Sequence, residues 1–296
     1  MVEEKKRVAL FSVFAAVFLT GFKLIVGVLT GSLGIISEAL HSGLDFVAAV
    51  ITYFTVRISD KPADKDHNYG HGKFENFSAF IETILLLITC SWIVYEAVSR
   101  LYFGNTQIEV NVWSYVVVIS AIIIDLTRSQ SLSKVAKKFN SQALEADALH
   151  FATDIWSSAV VLFGLICADF GLHEADSVAA LGVSLIVLFV SYRMGKKAID
   201  VLLDKAPLDT INKIERALNT YPEVKHFHNL KVRTSGADTF IKVNIHFEPD
   251  ISLRQVHELC DKIEAQLKIL IVRSEVNIHA EPQDYNDIQT KEKESI

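Results

Sequence analysis

Along the first two thirds of the chain, apolar residues run in long, nearly unbroken stretches separated by short polar connections; in the last third they are interspersed with charge. A helix needs about 20 mostly apolar residues to cross ~30 Å of hydrocarbon. Six stretches meet that need, at residues 8–30, 32–57, 74–99, 112–127, 143–169 and 177–199. The connection Gly31-Ser-Leu-Gly34 has room only for a tight hairpin, so the first two spans run antiparallel. Lys5, Lys6, Arg7, Lys61, Lys65, Lys73, Arg128, Lys134, Lys137, Lys138, Lys196 and Lys197 then fall on one side, with little beyond Arg100 opposite. Basic residues stay on the cytoplasmic side of a bilayer, so both termini are expected in the cytoplasm. The pattern predicts an α-helical membrane protein with a six-transmembrane-helix bundle over residues 1–204.

From residue 205 the hydrophobic runs shorten and the period changes. Ala206-Pro207-Leu208-Asp209 reads as a helix start. A helix is predicted over 209–220, a strand over 225–235, a turn at Ser235-Gly236-Ala237-Asp238, a strand over 239–248, a helix over 252–269 and a strand over 272–281. In Phe240-Ile-Lys-Val-Asn-Ile-His-Phe247 the alternation puts Ile241, Val243, Ile245 and Phe247 on one face, and Lys242, Asn244 and His246 on the other. That order, αββαβ, predicts a ferredoxin-like α+β domain over 205–283. Residues 284–296 carry too little apolar matter to pack and are expected to be a disordered tail.

Composition agrees with a membrane class: half the residues are hydrophobic. A net charge of −6 gives no basic face for nucleic acid, which is excluded as a partner. Cys90, Cys167 and Cys260 are scattered without a paired spacing, so neither a disulfide framework nor a thiolate metal site is expected. The first apolar run is too long for the core of a signal peptide and has no small-residue cleavage pattern, so it reads as the first span.

Ionisable side chains inside a span cost roughly 2.5–3.5 kcal/mol each on insertion scales and mark functional sites. In the second span Glu38, His41 and Asp45 recur at i, i+3 and i+7, on one helix face; in the fifth, Asp147, His150 and Asp154 repeat the spacing. Facing each other, the two His-x-x-x-Asp pairs supply two imidazoles and two carboxylates, a set that tetrahedral Zn2+ accepts. Glu38 and Asp147 lie a turn nearer a membrane surface and have the weaker claim. Lys23 is expected to snorkel towards the outer headgroups. Glu82 and Asp125 are expected to line the cytoplasmic approach or to pair locally.

With six spans, a paired intramembrane site and a cytoplasmic αββαβ domain, the chain resembles the cation diffusion facilitator family, bacterial zinc and iron exporters included, over nearly its whole length. The loop Pro62-Ala-Asp64-Lys-Asp-His67-Asn-Tyr-Gly-His71-Gly-Lys-Phe-Glu75 is similar to the family's signature between spans two and three. By that resemblance His41, Asp45, His150 and Asp154 form the transport site, and Asp64, His67 and His71 a second site at the cytoplasmic mouth. His228, His246, His257 and His279 fall where similar proteins place a binuclear site, with Glu281 where some carry Asp. Lys73 and Asp204 match a charge interlock at the seam of a homodimer. His41 stands where the best-known iron and zinc exporters carry Asp; the extra imidazole makes the site softer and favours Zn2+ over Mn2+ or Mg2+. The resemblance implies an exporter of Zn2+, with Co2+, Cd2+ and Fe2+ as further candidate ions and no organic cofactor; the short loops suggest the plasma membrane of a prokaryotic cell, and the electrical cost of exporting a divalent cation points to proton antiport. An enzyme is not expected. A metal sensor that binds without transporting is the alternative.

Overall fold

The computed structural model describes residues 2–31, 33–103, 112–169 and 175–283. The expected tail from residue 284 onward lies outside the described residues. The chain divides into two compact units, residues 1–200 and 201–296.

Among the described residues the first unit holds six long helices: α1 (Val2–Thr30), α2 (Leu33–Ser59), α3 (Lys73–Phe103), α4 (Val112–Phe139), α5 (Gln142–Asp169) and α6 (Ala175–Leu202), the last running just past the unit's boundary. Among the described residues, four stretches are long and apolar enough to cross a membrane: Glu3–Thr30, Glu38–Ser59, Lys73–Ser99 and Val112–Phe139. α1 and α4 outrun their predicted apolar stretches furthest. α1 begins six residues before Val8, and α4 continues twelve residues past Thr127, because a helix satisfies its own backbone whether or not its side chains are apolar.

α1 packs on α2 and α4, α4 on α5, and α3 on α2 and α5. The buried seams are rich in alanine, including Ala9, Ala48, Ala49, Ala79, Ala143, Ala146 and Ala148, whereas Phe14, Phe18, Ile25, Leu29, Trp92 and Phe189 are exposed. Small residues let backbones approach closely where the surroundings are as apolar as leucine. Gly27 illustrates this: a Cβ there would lie 2.8 Å from Ile36 Cγ1 and 3.0 Å from the Ile36 nitrogen. The α1–α2 turn is as tight as the sequence requires, with Gly31 at φ +68°, a conformation that glycine adopts without strain.

The second unit holds α7 (Leu208–Leu218), β1 (His226–Ser235), β2 (Asp238–Phe247), α8 (Leu253–Leu270) and β3 (Ser274–Pro282). The sheet order is β1-β2-β3; β1 and β2 pair antiparallel across the turn at Gly236, while β2 and β3 pair in parallel through the α8 crossover. α8 starts from a capping box in which Ser252 and Gln255 satisfy each other's backbone amides. Ile214 and Leu218 of α7, Ile263 and Leu267 of α8, and Ile241, Val243, Ile245 and Phe247 of β2 form one buried core.

Candidate metal centres

Three groups of histidine and carboxylate side chains, among the described residues, bring their ligand atoms within 4.8 Å of one another: Asp45, His150 and Asp154; Asp64, His67 and His71; and His228, His246 and Glu281.

The first lies between α2 and α5. His150 is 3% exposed and its Nε2 stands 3.0 Å from Asp45 Oδ1 and 3.6 Å from Asp154 Oδ2. One imidazole nitrogen thus faces a carboxylate from each helix. A partly open cavity of about 330 Å³ reaches this group and is lined also by Glu38, His41, Asp125 and Lys23. His41 lines the cavity one turn from Asp45 but lies outside the tight group, so helix register unites three of the four expected ligands.

The neighbouring charges differ from expectation. Lys23, expected to snorkel outward, is instead buried, donating to two acceptors on α2, Glu38 Oε2 at 3.1 Å and Ser42 Oγ at 2.8 Å. Asp147, placed near a surface by sequence position, is fully buried and accepts from Ser12 Oγ at 3.3 Å. Asp125 does pair locally, with Arg128 at 3.1 Å, and Glu82 accepts from Thr52. Sequence reasoning also missed two buried networks. Arg128, counted as an interface charge, is 1% exposed, donates to Ser12 and stacks over the Phe151 ring at 3.3 Å. Lys5 pairs with Asp60 at 2.6 Å and Glu75 at 2.9 Å, and Glu75 also accepts from Ser59 and Ser141. Lys5 and Arg128 were legible as charges at helix ends, and nothing in their spacing told a buried partner from water.

The second group sits in the loop between α2 and α3. Asp64 caps the turn, its Oδ1 accepting from the amides of Asp66 at 3.0 Å and His67 at 2.7 Å. The His67 amide, assisted by that of Asp66 and by the nearby His71 and His67 rings, holds the Asp64 carboxyl below its ordinary range despite its slight desolvation. Its two oxygens lie 3.4 Å from His67 Nδ1 and 3.4 Å from His71 Nε2. Gly70 at φ +72° turns the chain so that both imidazoles reach one carboxylate.

The third group lies on the sheet. Register places His246 opposite Glu281, and His246 Nε2 is 3.2 Å from Glu281 Oε2 and 3.1 Å from His228 Nδ1. His246 was expected on an open polar face; it is 5% exposed. Its Nδ1 donates to the Pro282 carbonyl at 3.2 Å, which fixes the tautomer and leaves the Nε2 lone pair facing the group. His279 stands 3.5 Å from the other oxygen of Glu281. His257 is on α8, 3.7 Å from Asp261, and neither histidine joins the tight group. Lys73 opens α3, and Asp204 lies 3.6 Å from Arg233 within the second unit.

Long apolar helices carrying clustered imidazole and carboxylate ligands define a multi-pass membrane protein that handles divalent metal ions. The chain belongs to the cation efflux, or cation diffusion facilitator, family: residues 9–203 match its cation efflux transmembrane domain and residues 206–283 the cation efflux protein cytoplasmic domain. It is therefore a cation efflux transporter and not an enzyme, and its C-terminal unit is of a type that dimerises. It is 30% identical over 277 residues to the cation-efflux pump FieF of Cronobacter sakazakii, covering 93% of this chain and 92% of that protein. With FieF of Serratia proteamaculans it shares 30% identity over 278 residues, 94% of this chain and 92% of that one. Among solved structures it is similar to the metal-bound C-terminal domain of the CzcD transporter from Thermotoga maritima, at 32% identity, 25% of this chain, 88% of that chain and a TM-score of 0.25.

Proposed function

We propose that the protein exports Zn2+ from the cytoplasm in exchange for protons, through a site made of Asp45, His150 and Asp154 with His41 beside it. The observation that carries this reading is the position of His150 Nε2 between two carboxylates. An ionised carboxylate only accepts, so the 3.0 Å hydrogen bond to Asp45 needs a proton on that nitrogen. A metal ion needs the same lone pair. Proton and ion are alternative occupants of one atom, which is what exchange requires. Two carboxylates with one or two imidazoles suit a borderline ion such as Zn2+, with Co2+, Cd2+ and Fe2+ as weaker candidates.

Moving a divalent ion out against a negative-inside potential costs ~4.6 kcal/mol per 100 mV, at about 2.3 per charge. One proton entering returns about half, and each unit of inward pH gradient adds ~1.4 kcal/mol. In this reading six spans lie in the plasma membrane with both termini cytoplasmic, and the loop group passes ions to the transport site. The ferredoxin-like domain binds metal at His228, His246 and Glu281, with His279 and His257 available to a second ion, and clamps a homodimer in which Lys73 and Asp204 form a charge interlock.

The test is Zn2+ uptake into proteoliposomes under an imposed pH gradient, with Asp154→Ala at equal reconstitution. Gradient-driven flux abolished by the substitution, a fall of about 100-fold or more, is expected. Equal flux in both proteins overturns the assigned site; tight Zn2+ binding without flux in either favours a sensor.

A further inference from the structure

We propose that His226 is a fourth ligand of the cytoplasmic-domain centre, giving a complete three-imidazole, one-carboxylate shell within a single chain. The inference rests on the reading that His228, His246 and Glu281 bind metal.

Three observations converge on His226. Strand register pairs it directly with His246, and His246 in turn with Glu281, so one row across the three strands reads His226, His246, Glu281. Residues two apart on a strand share a face, which puts His226 and His228 side by side at the same end of the sheet. The rings also come near the spacing of a common ion, with His226 just outside the tight group. Two imidazoles on one tetrahedral Zn2+, each with Zn–N about 2.0 Å, hold their centroids about 5 Å apart. The centroids of His228 and His246 are 5.0 Å apart, those of His226 and His246 5.8 Å, and those of His226 and His228 6.1 Å. A shift of about 1 Å in one exposed side chain closes the shell, well within rotamer freedom at a strand end.

The chemistry follows from the donor set. Three neutral nitrogens and one carboxylate favour Zn2+ or Co2+ and disfavour Mg2+ and Ca2+, which take all-oxygen shells. A closed four-ligand shell is the form of a structural, retained metal rather than an exchangeable one. No ligand from a partner chain is needed, so the domain loads its first ion as a monomer.

The experiment uses the full-length protein in detergent, with Asp154→Ala and His71→Ala silencing the other two groups, and Co2+ as probe read by its visible absorption. In that background the first equivalent of Co2+ is expected to give the intense bands of tetrahedral geometry. Adding His226→Ala is expected to weaken binding about tenfold or more and to diminish those bands. Measured against each protein's own melting without metal, the rise in melting temperature on adding Zn2+ is expected to shrink in His226→Ala. Unchanged affinity and spectrum in His226→Ala, with both lost in His246→Ala, overturns His226 as a ligand and leaves the three-residue centre standing. No loss in either variant overturns the centre itself, and this inference with it.

Discussion

The two units send their apolar residues in opposite directions. In the helical unit the buried seams are rich in alanine, with Phe151, Leu132 and Leu144 among them, while many large side chains such as Phe14, at 65% exposure, point outward. In the α/β unit one core gathers large side chains, Phe247 at 1% exposure among them, between the sheet and its helices. The contrast is one of solvent. Hydrocarbon offers no reward for burying leucine, so helices there associate by close approach and by a few hydrogen bonds; water does offer it, and a core of branched and aromatic residues forms.

The same opposition holds at the metal groups. Between helices one imidazole meets two carboxylates; on the sheet two imidazoles meet one. The more anionic group is the one assigned to an ion that must leave again in exchange for protons, and the nitrogen-rich group is the one assigned to an ion that stays.

Truncating the same residue type in each unit separates the two environments most sharply. Phe247→Ala is expected to destabilise the second unit by about 3–5 kcal/mol, read as loss of protection of residues 201–283 in pulse proteolysis across a urea series. Phe14→Ala, by contrast, is expected to stay within about 0.5 kcal/mol in the first unit, and a large effect there would break the comparison. Filling a seam comes next. Ala146 packs with Ala79 and Ala198, so Ala146→Leu is expected to cost about 1–3 kcal/mol, seen as a lower thermal midpoint in detergent by tryptophan fluorescence, since Trp92, Trp113 and Trp156 all lie in that unit.

The smallest effect belongs to the loop between α2 and α3. Backbone amides hold Asp64 below its ordinary value of 3.8, so their contribution to loop order is present above that value and is lost as pH falls through the lower, folded one. Pepsin cleavage in residues 60–72 is expected to rise from about pH 5 to about pH 2 in the native protein, and to be already high at pH 5 in Asp64→Ala, which lacks the capping carboxylate. Equal cleavage in both would remove the cap from the account.

Much of this was legible along the chain. The αββαβ order fell within a few residues of its predicted bounds because alternation and amphipathic spacing are local properties, and Ser252 and Gln255 announce the start of α8. The repeated His-x-x-x-Asp spacing pointed to the helices that meet at His150, because residues four apart share a helix face whatever lies opposite. Spacing could not set the offset between two helices, and that offset brings Asp45 rather than His41 to His150.

By itself, then, the sequence determined the elements, the faces that bear ligands and the donor types available, since each depends on a few neighbouring residues. Tertiary structure decided which charges are buried and with whom: Lys5 with Asp60 and Glu75, Arg128 with Asp125 and Ser12, Lys23 with Glu38 and Ser42. It also decided that His226 stands in the row with His246 and Glu281, because cross-strand register joins residues far apart in the chain. Burial and register arise only when distant segments pack, and a charge at a helix end or a histidine on a strand looks the same in the sequence whether water or a partner awaits it.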